Sequence, residues 1–282
     1  MLPSKKVLKK INLIVLDLDG TLLDNNGAIG SRTLMFVSEL KKKNVLFSFA
    51  SGRLHSALTE YADILGISTP LISLDGCLIK SYPAGEQIFH SYVPEKYVQK
   101  AIDFADNYLV KLALCHEDAI YYTEHNASIS NMLEKFGVTY TEVDSYDNYK
   151  AKTLEIIMAG DYKDTMLRIQ NKMSFPHSFG LSTNFYKSHH FRGIYYLDIR
   201  KKGSTKGTGL VRLAKHLGVK IKHTAVLGDW YNDRELFETD AFKVTVANAV
   251  PEIKRKADFI TSGTNNEDGV AEFLEMVLFA KS

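Results

Sequence analysis

Cysteine is nearly absent: Cys77 and Cys115 are the only two in 282 residues. Two such residues build no disulfide framework, and no paired Cys/His spacing of a structural zinc site accompanies them. A reducing, cytoplasmic setting is the expectation. Long apolar runs are missing as well. No uncharged stretch reaches the roughly 18–20 residues that a bilayer-spanning helix needs, and the short apolar run at the N-terminal end stops at acidic residues, unlike a secretory leader. Charge of one sign is also missing. A formal net charge of +2 is too small to suggest, by itself, the basic surface of a nucleic-acid or anionic-membrane binder. Lys5-Lys6, Lys9-Lys10 and Lys41-Lys42-Lys43 read as solvated faces. There is no internal repeat and no low-complexity tract. The expected partner is therefore a small molecule, with no nucleic acid and no membrane, and oligomeric state is not legible.

What is present is an ordinary globular composition, 45% hydrophobic and 24% charged, enough for one large or two ordinary cores. The ends of the chain share one rhythm. Leu13–Leu16, Val45–Ala50 and Leu71–Leu74 read as buried strands, alternating with helices at Ser31–Lys43 and Leu54–Leu65. The alternation returns late, with helix Thr208–Leu217, strand His223–Leu227, a short helix Asp233–Glu238, strands Phe242–Val246 and Ala257–Thr261, and a last helix from about Glu267 to Ala280. Strands alternating with helices imply βαβ units and a parallel sheet. The middle differs. Helices at Glu95–Asn107, Ala127–Phe136 and Tyr162–Met173 interleave with strands at Lys111–Leu114, Ile120–Thr123, Thr153–Met158 and Ile194–Ile199. The expected architecture is an α/β Rossmann-like open parallel sheet from residues 1–83 and 199–282, with an inserted α+β domain at 84–198.

Ligands of open α/β sheets bind beyond the carboxyl ends of the strands, so the residues just past each core strand matter most. After the first strand come Asp17, Asp19, Gly20 and Thr21, and after the second Ser51, Gly52 and Arg53. After His223–Leu227 come Gly228-Asp229-Trp-Tyr-Asn232-Asp233, and Lys206 lies in a glycine-flanked turn opening a helix. Buried carboxylates are costly unless paired or metal-bound. Asp17, Asp229 and Asp233 can hold Mg²⁺, which favours oxygen ligands. A carboxylate can attack phosphorus, a second one can act as general acid and base, and a lysine can supply fixed positive charge where negative charge develops. Ser51, with the amides of the helix expected after it, suits a phosphate oxygen.

Taken together these residues resemble the haloacid dehalogenase-like hydrolase superfamily, and within it the Cof-type phosphatases that carry an α/β (C2B-type) cap. The resemblance covers nearly the whole chain. It implies Asp17 as nucleophile and metal ligand, and Asp19 as acid/base with its backbone carbonyl on the metal. It implies Lys206 as the motif lysine, and Asp229 and Asp233 as metal-site carboxylates. Asp19, Gly20, Ser51, Gly52, Lys206 and Asn232 would surround the phosphate. Val246-Ala-Asn248-Ala249 and Asp268-Gly269-Val270-Ala271 match further group signatures. The implied activity is Mg²⁺-dependent hydrolysis of small phosphorylated metabolites through an aspartyl-phosphate, with sugar phosphates as the default and flavin mononucleotide or pyridoxal phosphate as group alternatives. A phosphotransferase or phosphomutase on the same scaffold, or a non-catalytic phosphometabolite binder, are the competing readings.

Two stretches depart from the group. Leu74-Asp75-Gly76-Cys77 stands where Asn-Gly-Ala is common, placing an additional carboxylate near the cleft, and Trp230-Tyr231 is bulkier than usual. Arg53, Asp75, Gly76, Thr183, Asn184 and His189 are the candidates for substrate selection. The Thr183–His190 stretch reads as a surface loop, and His189-His190 as no metal site, since neighbours in extended chain face opposite ways.

Overall fold

A computed structural model describes residues 3–132, 139–188 and 191–282, in two compact units. The first unit comprises Met1–Gly52, Leu58–Ile88 and Thr205–Ser282. It is built on a five-stranded sheet, all parallel, in the order Phe259–Ile260, Phe242–Thr245, Thr224–Leu227, Leu13–Leu16, Leu46–Phe49. Every residue of Leu13–Leu16 and of Thr224–Leu227 is buried, as expected of strands covered on both faces. Phe36, Val37 and Leu40 from the Ser31–Lys42 helix join Phe273, Leu274 and Val277 from the Gly269–Lys281 helix in the core beside the sheet. The first of these helices has only Gly30 at its N-cap, so its orphan amides are met from elsewhere. The Asp268 carboxylate accepts from the amides of Arg32 (3.0 Å) and Thr33 (3.1 Å). Gly30 is required there, because a Cβ would lie 2.0 Å from the Asp268 Cγ.

Two expectations for this unit need correction. Leu71–Ser73 does not extend the parallel sheet. It pairs antiparallel with Leu78–Lys80, and Gln87–His90 completes a separate three-stranded sheet. The chain reverses directly after Ser73, at Leu74, Asp75 and Gly76, all with positive φ, leaving the Ala50–Ile72 bridge as its pairing with the second parallel strand's end. Asp233–Glu238 is not a helix either. A single 3₁₀ turn at Tyr231–Asp233 gives way to irregular turns.

The second unit comprises Arg53–Ala57 and Phe89–Ser204. Its six strands run in the order Leu181–Lys187, Tyr195–Lys201, Glu155–Gly160, Lys111–Cys115, Ile120–Tyr122, Tyr140–Glu142. All neighbours are antiparallel except the last two. Leu112, Leu114, Ile156, Met158, Leu197 and Ile199 face helices Glu95–Tyr108 and Lys163–Met173, forming one apolar core. The opposite face carries Glu155, Asp198 and Arg200, because strand side chains alternate. The segment read as a loop around Thr183 is the edge strand Leu181–Lys187. Its weak alternation of half-buried and exposed residues disguised it. Of the helix expected at Ala127–Phe136, Ser128–Met132 is present and the remainder lies outside the described residues.

Candidate active site

Asp17 follows the central strand and keeps its ladder, donating its amide to the Leu227 carbonyl at 3.0 Å. The chain then folds tightly: the Leu18 carbonyl accepts from the amides of Thr21, Leu22 and Leu23. Leu18 is thereby buried in the core and Asp19 is exposed. Gly20 has φ +77°, and a Cβ there would sit 2.5 Å from Asp229 Oδ2, so both conformation and space demand glycine. The turn is tied down twice more. Thr21 donates to Asp229 Oδ1 at 2.7 Å, and Asn248 donates to the Gly20 carbonyl at 2.7 Å. Asn265 holds Asn248 through its own amide and donates to the Leu23 carbonyl.

Lys206 opens the Lys206–His216 helix, whose first turn is closed by reciprocal bonds between Thr205 and Thr208. Its side chain is completely buried. The helix approaches this closely because Gly207 and Gly209 lack Cβ atoms, which would otherwise meet the Glu235 carbonyl at 2.3 Å and Ile72 Cγ2 at 2.8 Å. The ammonium lies 2.6 Å from Asp17 Oδ1, 2.7 Å from Asp233 Oδ1 and 3.9 Å from Asp75 Oδ1. The other oxygen of Asp233 accepts from the amides of Asp229 and Trp230, which fixes the turn carrying both acids.

The electrostatics are uneven. Burial alone would lower the Lys206 pKa, but Asp17, Asp233 and Asp75 together hold it above the ordinary lysine value. Asp17 is pushed well above the usual carboxylate range, first by burial and then by Asp233, and Lys206 only partly offsets this. Asp229 is pushed up to about 7 by burial and by Asp233. One cation therefore does not satisfy these acids. One oxygen each from Asp17, Asp229 and Asp233 comes within 4.8 Å of the others. Hard, crowded, under-neutralised oxygens are the donor set that a hard divalent cation fits.

Of the residues expected at the site, Asp17, Lys206, Asp229 and Asp233 converge, and Asp75 and Asn232 join them through a 3.2 Å bond from Asn232 Nδ2 to Asp75 Oδ1. Gly52 and Gly76 flank Asp75: a Cβ on Gly52 would lie 3.3 Å from its Oδ1, and one on Gly76 would strike the Thr205 carbonyl. Ser51 is buried, but the expected helix start behind it is displaced. The helix begins at Ser56, and the Ser51 amide donates to the Ile72 carbonyl, so it is engaged in backbone pairing. Arg53, Thr183 and Asn184 belong to the second unit. The Thr183 hydroxyl meets those of Ser174 (3.0 Å) and the side-chain amide of Gln170, on the helix-covered side of that unit's sheet. Asn184 lies on the opposite face across from Asp198. His189, like His190, lies outside the described residues. Sequence reasoning missed the parts played by Thr21, Asn248 and Asn265. Thr21 was signalled by its place directly after Asp-Gly. Asn248 stood in a matched signature with no role attached, and both asparagines donate to backbone carbonyls, which are not legible in side-chain spacing.

Comparison with known proteins agrees with this geometry. A family model described as haloacid dehalogenase-like hydrolase matches residues 14–274. A 5-amino-6-(5-phospho-D-ribitylamino)uracil phosphatase of Bacillus subtilis is 26% identical over 269 residues, covering 93% of this chain and 96% of the relative. A putative phosphatase of Streptococcus pyogenes is 27% identical, covering 93% and 96%. Among solved structures, a haloacid dehalogenase-like hydrolase from Bacteroides thetaiotaomicron superposes with a TM-score of 0.81 at 23% identity, over 95% of this chain and 99% of that one. The parallel sheet, the acid-rich strand ends and a family match over nearly the whole length lead to one conclusion: the chain belongs to the haloacid dehalogenase-like hydrolase family.

Proposed function

We propose that the protein is a Mg²⁺-dependent phosphatase of small phosphorylated metabolites, acting through an aspartyl-phosphate on Asp17. The observation that carries this reading is the buried contact of Lys206 with both Asp17 and Asp233 at the end of the central strand. Asp17, Asp229 and Asp233, with the Asp19 carbonyl, would hold the metal, whose charge would offset that of the phosphate and of the crowded acids. Asp17 attacks phosphorus as the ester oxygen departs, and Lys206 balances charge on the phosphoryl oxygens. Asp19, exposed and two residues on, protonates the leaving oxygen. It then takes a proton from the water that cleaves the Asp17 acyl phosphate, releasing inorganic phosphate and restoring the carboxylate. Ser51 and Asn232 are assigned to the phosphate oxygens.

Phosphorylated sugars and polyols are the substrate class favoured. The Bacillus relative is named for a substrate that carries its phosphate on a ribityl chain. The test is phosphate release from a panel of such esters with Mg²⁺. Asp17→Asn should lower kcat/KM by about a thousandfold or more while the thermal midpoint stays near wild type. Substantial turnover by that variant would overturn the assignment of the nucleophile. Transfer of the phosphoryl group to added sugar, instead of free phosphate, would make the protein a phosphotransferase.

A further inference from the structure

Leu74, Asp75 and Gly76 have φ of 47°, 48° and 93°. Side-chain-bearing residues rarely adopt this left-handed region, so two in succession need surroundings that hold them there. The surroundings are three segments of the same unit, two that follow parallel strands and one that opens a helix. The Asp75 amide donates to the Ser51 carbonyl at 2.9 Å. Gly76 presses on Thr205, whose carbonyl a Cβ would meet at 2.2 Å. The Asp75 carboxylate accepts from Asn232 Nδ2 and stands 3.9 Å from Lys206 Nζ, with its side chain 10% exposed. One residue thus touches or faces the segments carrying the candidate phosphate hydroxyl, the lysine and the amide.

Neutralising Lys206 does not require Asp75, because Asp17 and Asp233 are already 2.6 and 2.7 Å from the ammonium. A third carboxylate in that low-dielectric site weakens the attraction that Lys206 exerts on a phosphate dianion. It also fixes the amide of Asn232. Resting on the phosphatase reading above, we propose that Asp75 is a positioning residue that sets phosphate affinity. It orients Asn232 and holds down the pull of Lys206, so that inorganic phosphate, the product, leaves readily.

Asp75→Asn is the informative variant. Asparagine tolerates the left-handed conformation better than most residues and still offers an oxygen to Asn232, so it removes charge with little change in shape. Asp75→Ala removes both charge and acceptor. Binding of inorganic phosphate in the presence of Mg²⁺ is measured by calorimetry. The fluorescence of Trp230, the chain's single tryptophan and two residues from Asn232, provides a second signal. Urea midpoints check that each variant is folded. The expected result for Asp75→Asn is a phosphate Kd at least threefold tighter than wild type. A matching fall in the product-inhibition constant and in KM should accompany it, with a lower kcat where phosphate release limits turnover. An unchanged or weaker Kd overturns the proposal, as does a lack of phosphate binding by both proteins. Ester hydrolysis by the wild type is scored separately. A tighter Kd without any turnover would sink the phosphatase reading and leave the charge role of Asp75 standing.

Discussion

The two units treat buried charge in opposite ways. In the second unit, Glu155 is almost fully buried and meets the guanidinium of Arg200 on the neighbouring strand at 2.5 Å. Asp198, two residues from Arg200, accepts from the Tyr186 hydroxyl at 3.4 Å. In the first unit, Asp17, Asp75, Asp229 and Asp233 are buried in company with one ammonium, Lys206. A matched pair is what a fold needs to tolerate charge on a sheet face. A surplus of acid serves no folding purpose and persists where a ligand completes it. The comparison separates a carboxylate paired within a sheet face from carboxylates crowded at strand ends without reference to any relative.

Breaking the surplus should have the largest effect. Lys206→Met leaves Asp17 and Asp233 buried without a counter-charge, and should cost about 3–5 kcal/mol in urea unfolding of the metal-free protein, besides abolishing turnover. Breaking the matched pair should cost less. Arg200→Met should lose about 1–3 kcal/mol, because the Arg200 side chain is 20% exposed and water reaches the gap. Turnover should survive it at a temperature where the protein is folded. Equal losses from the two variants would erase the distinction.

The third experiment sharpens the comparison through pH. Asp229, pushed up to about 7, must lose its proton before it can ligate a cation. The rise in thermal midpoint caused by Mg²⁺ should therefore be larger at pH 8 than at pH 6. Without metal the same group acts in the other direction. Its folded pKa lies above the unfolded value of 3.8, so between the two the folded state binds more protons, and acidification through about 7 strengthens its contribution to stability. The smallest effect belongs to the second unit. His116, whose Nε2 lies 2.7 Å from the Tyr149 carbonyl, is held below the usual histidine range by burial. As pH falls below about 6.5, the unfolded chain gains a proton that the folded unit resists, and stability drops. His116→Gln should flatten the midpoint-against-pH curve between about pH 7 and 5, leaving the Mg²⁺ response intact.

Most of the first unit was legible because its parallel strands are largely apolar, and Leu13–Leu16, Leu46–Phe49 and Thr224–Leu227 each give way to polar residues within two positions. Asp17, Asp229 and Asp233 could be named from that pattern and Lys206 from its glycine-flanked turn, although Asp17 and Lys206 are 189 positions apart. What escaped reading depends on backbone. The Leu71–Ser73 strand looks like its parallel neighbours until the left-handed turn at Leu74–Gly76 reverses it, and no local signal marks two non-glycine residues with positive φ. The 3₁₀ turn at Tyr231–Asp233 has the composition of a helix start, but Asp233 turns its carboxylate back onto the amides before it. Asp268, matched as part of a signature, caps a helix more than 200 positions earlier in the chain. In the second unit the edge strand Leu181–Lys187 pairs on one side through backbone bonds that impose little on its side chains.

The central position of Leu13–Leu16 also bears on biosynthesis. One neighbour, Leu46–Phe49, leaves the ribosome soon after it, but the other, Thr224–Leu227, emerges more than 200 residues later. At about 5–20 residues per second, that interval lasts roughly 10–40 s. Throughout it, a wholly apolar strand has one edge open to any passing chain. Placing Asp17 at the heart of the sheet thus leaves the strand that carries it half-paired until almost the whole chain has been made.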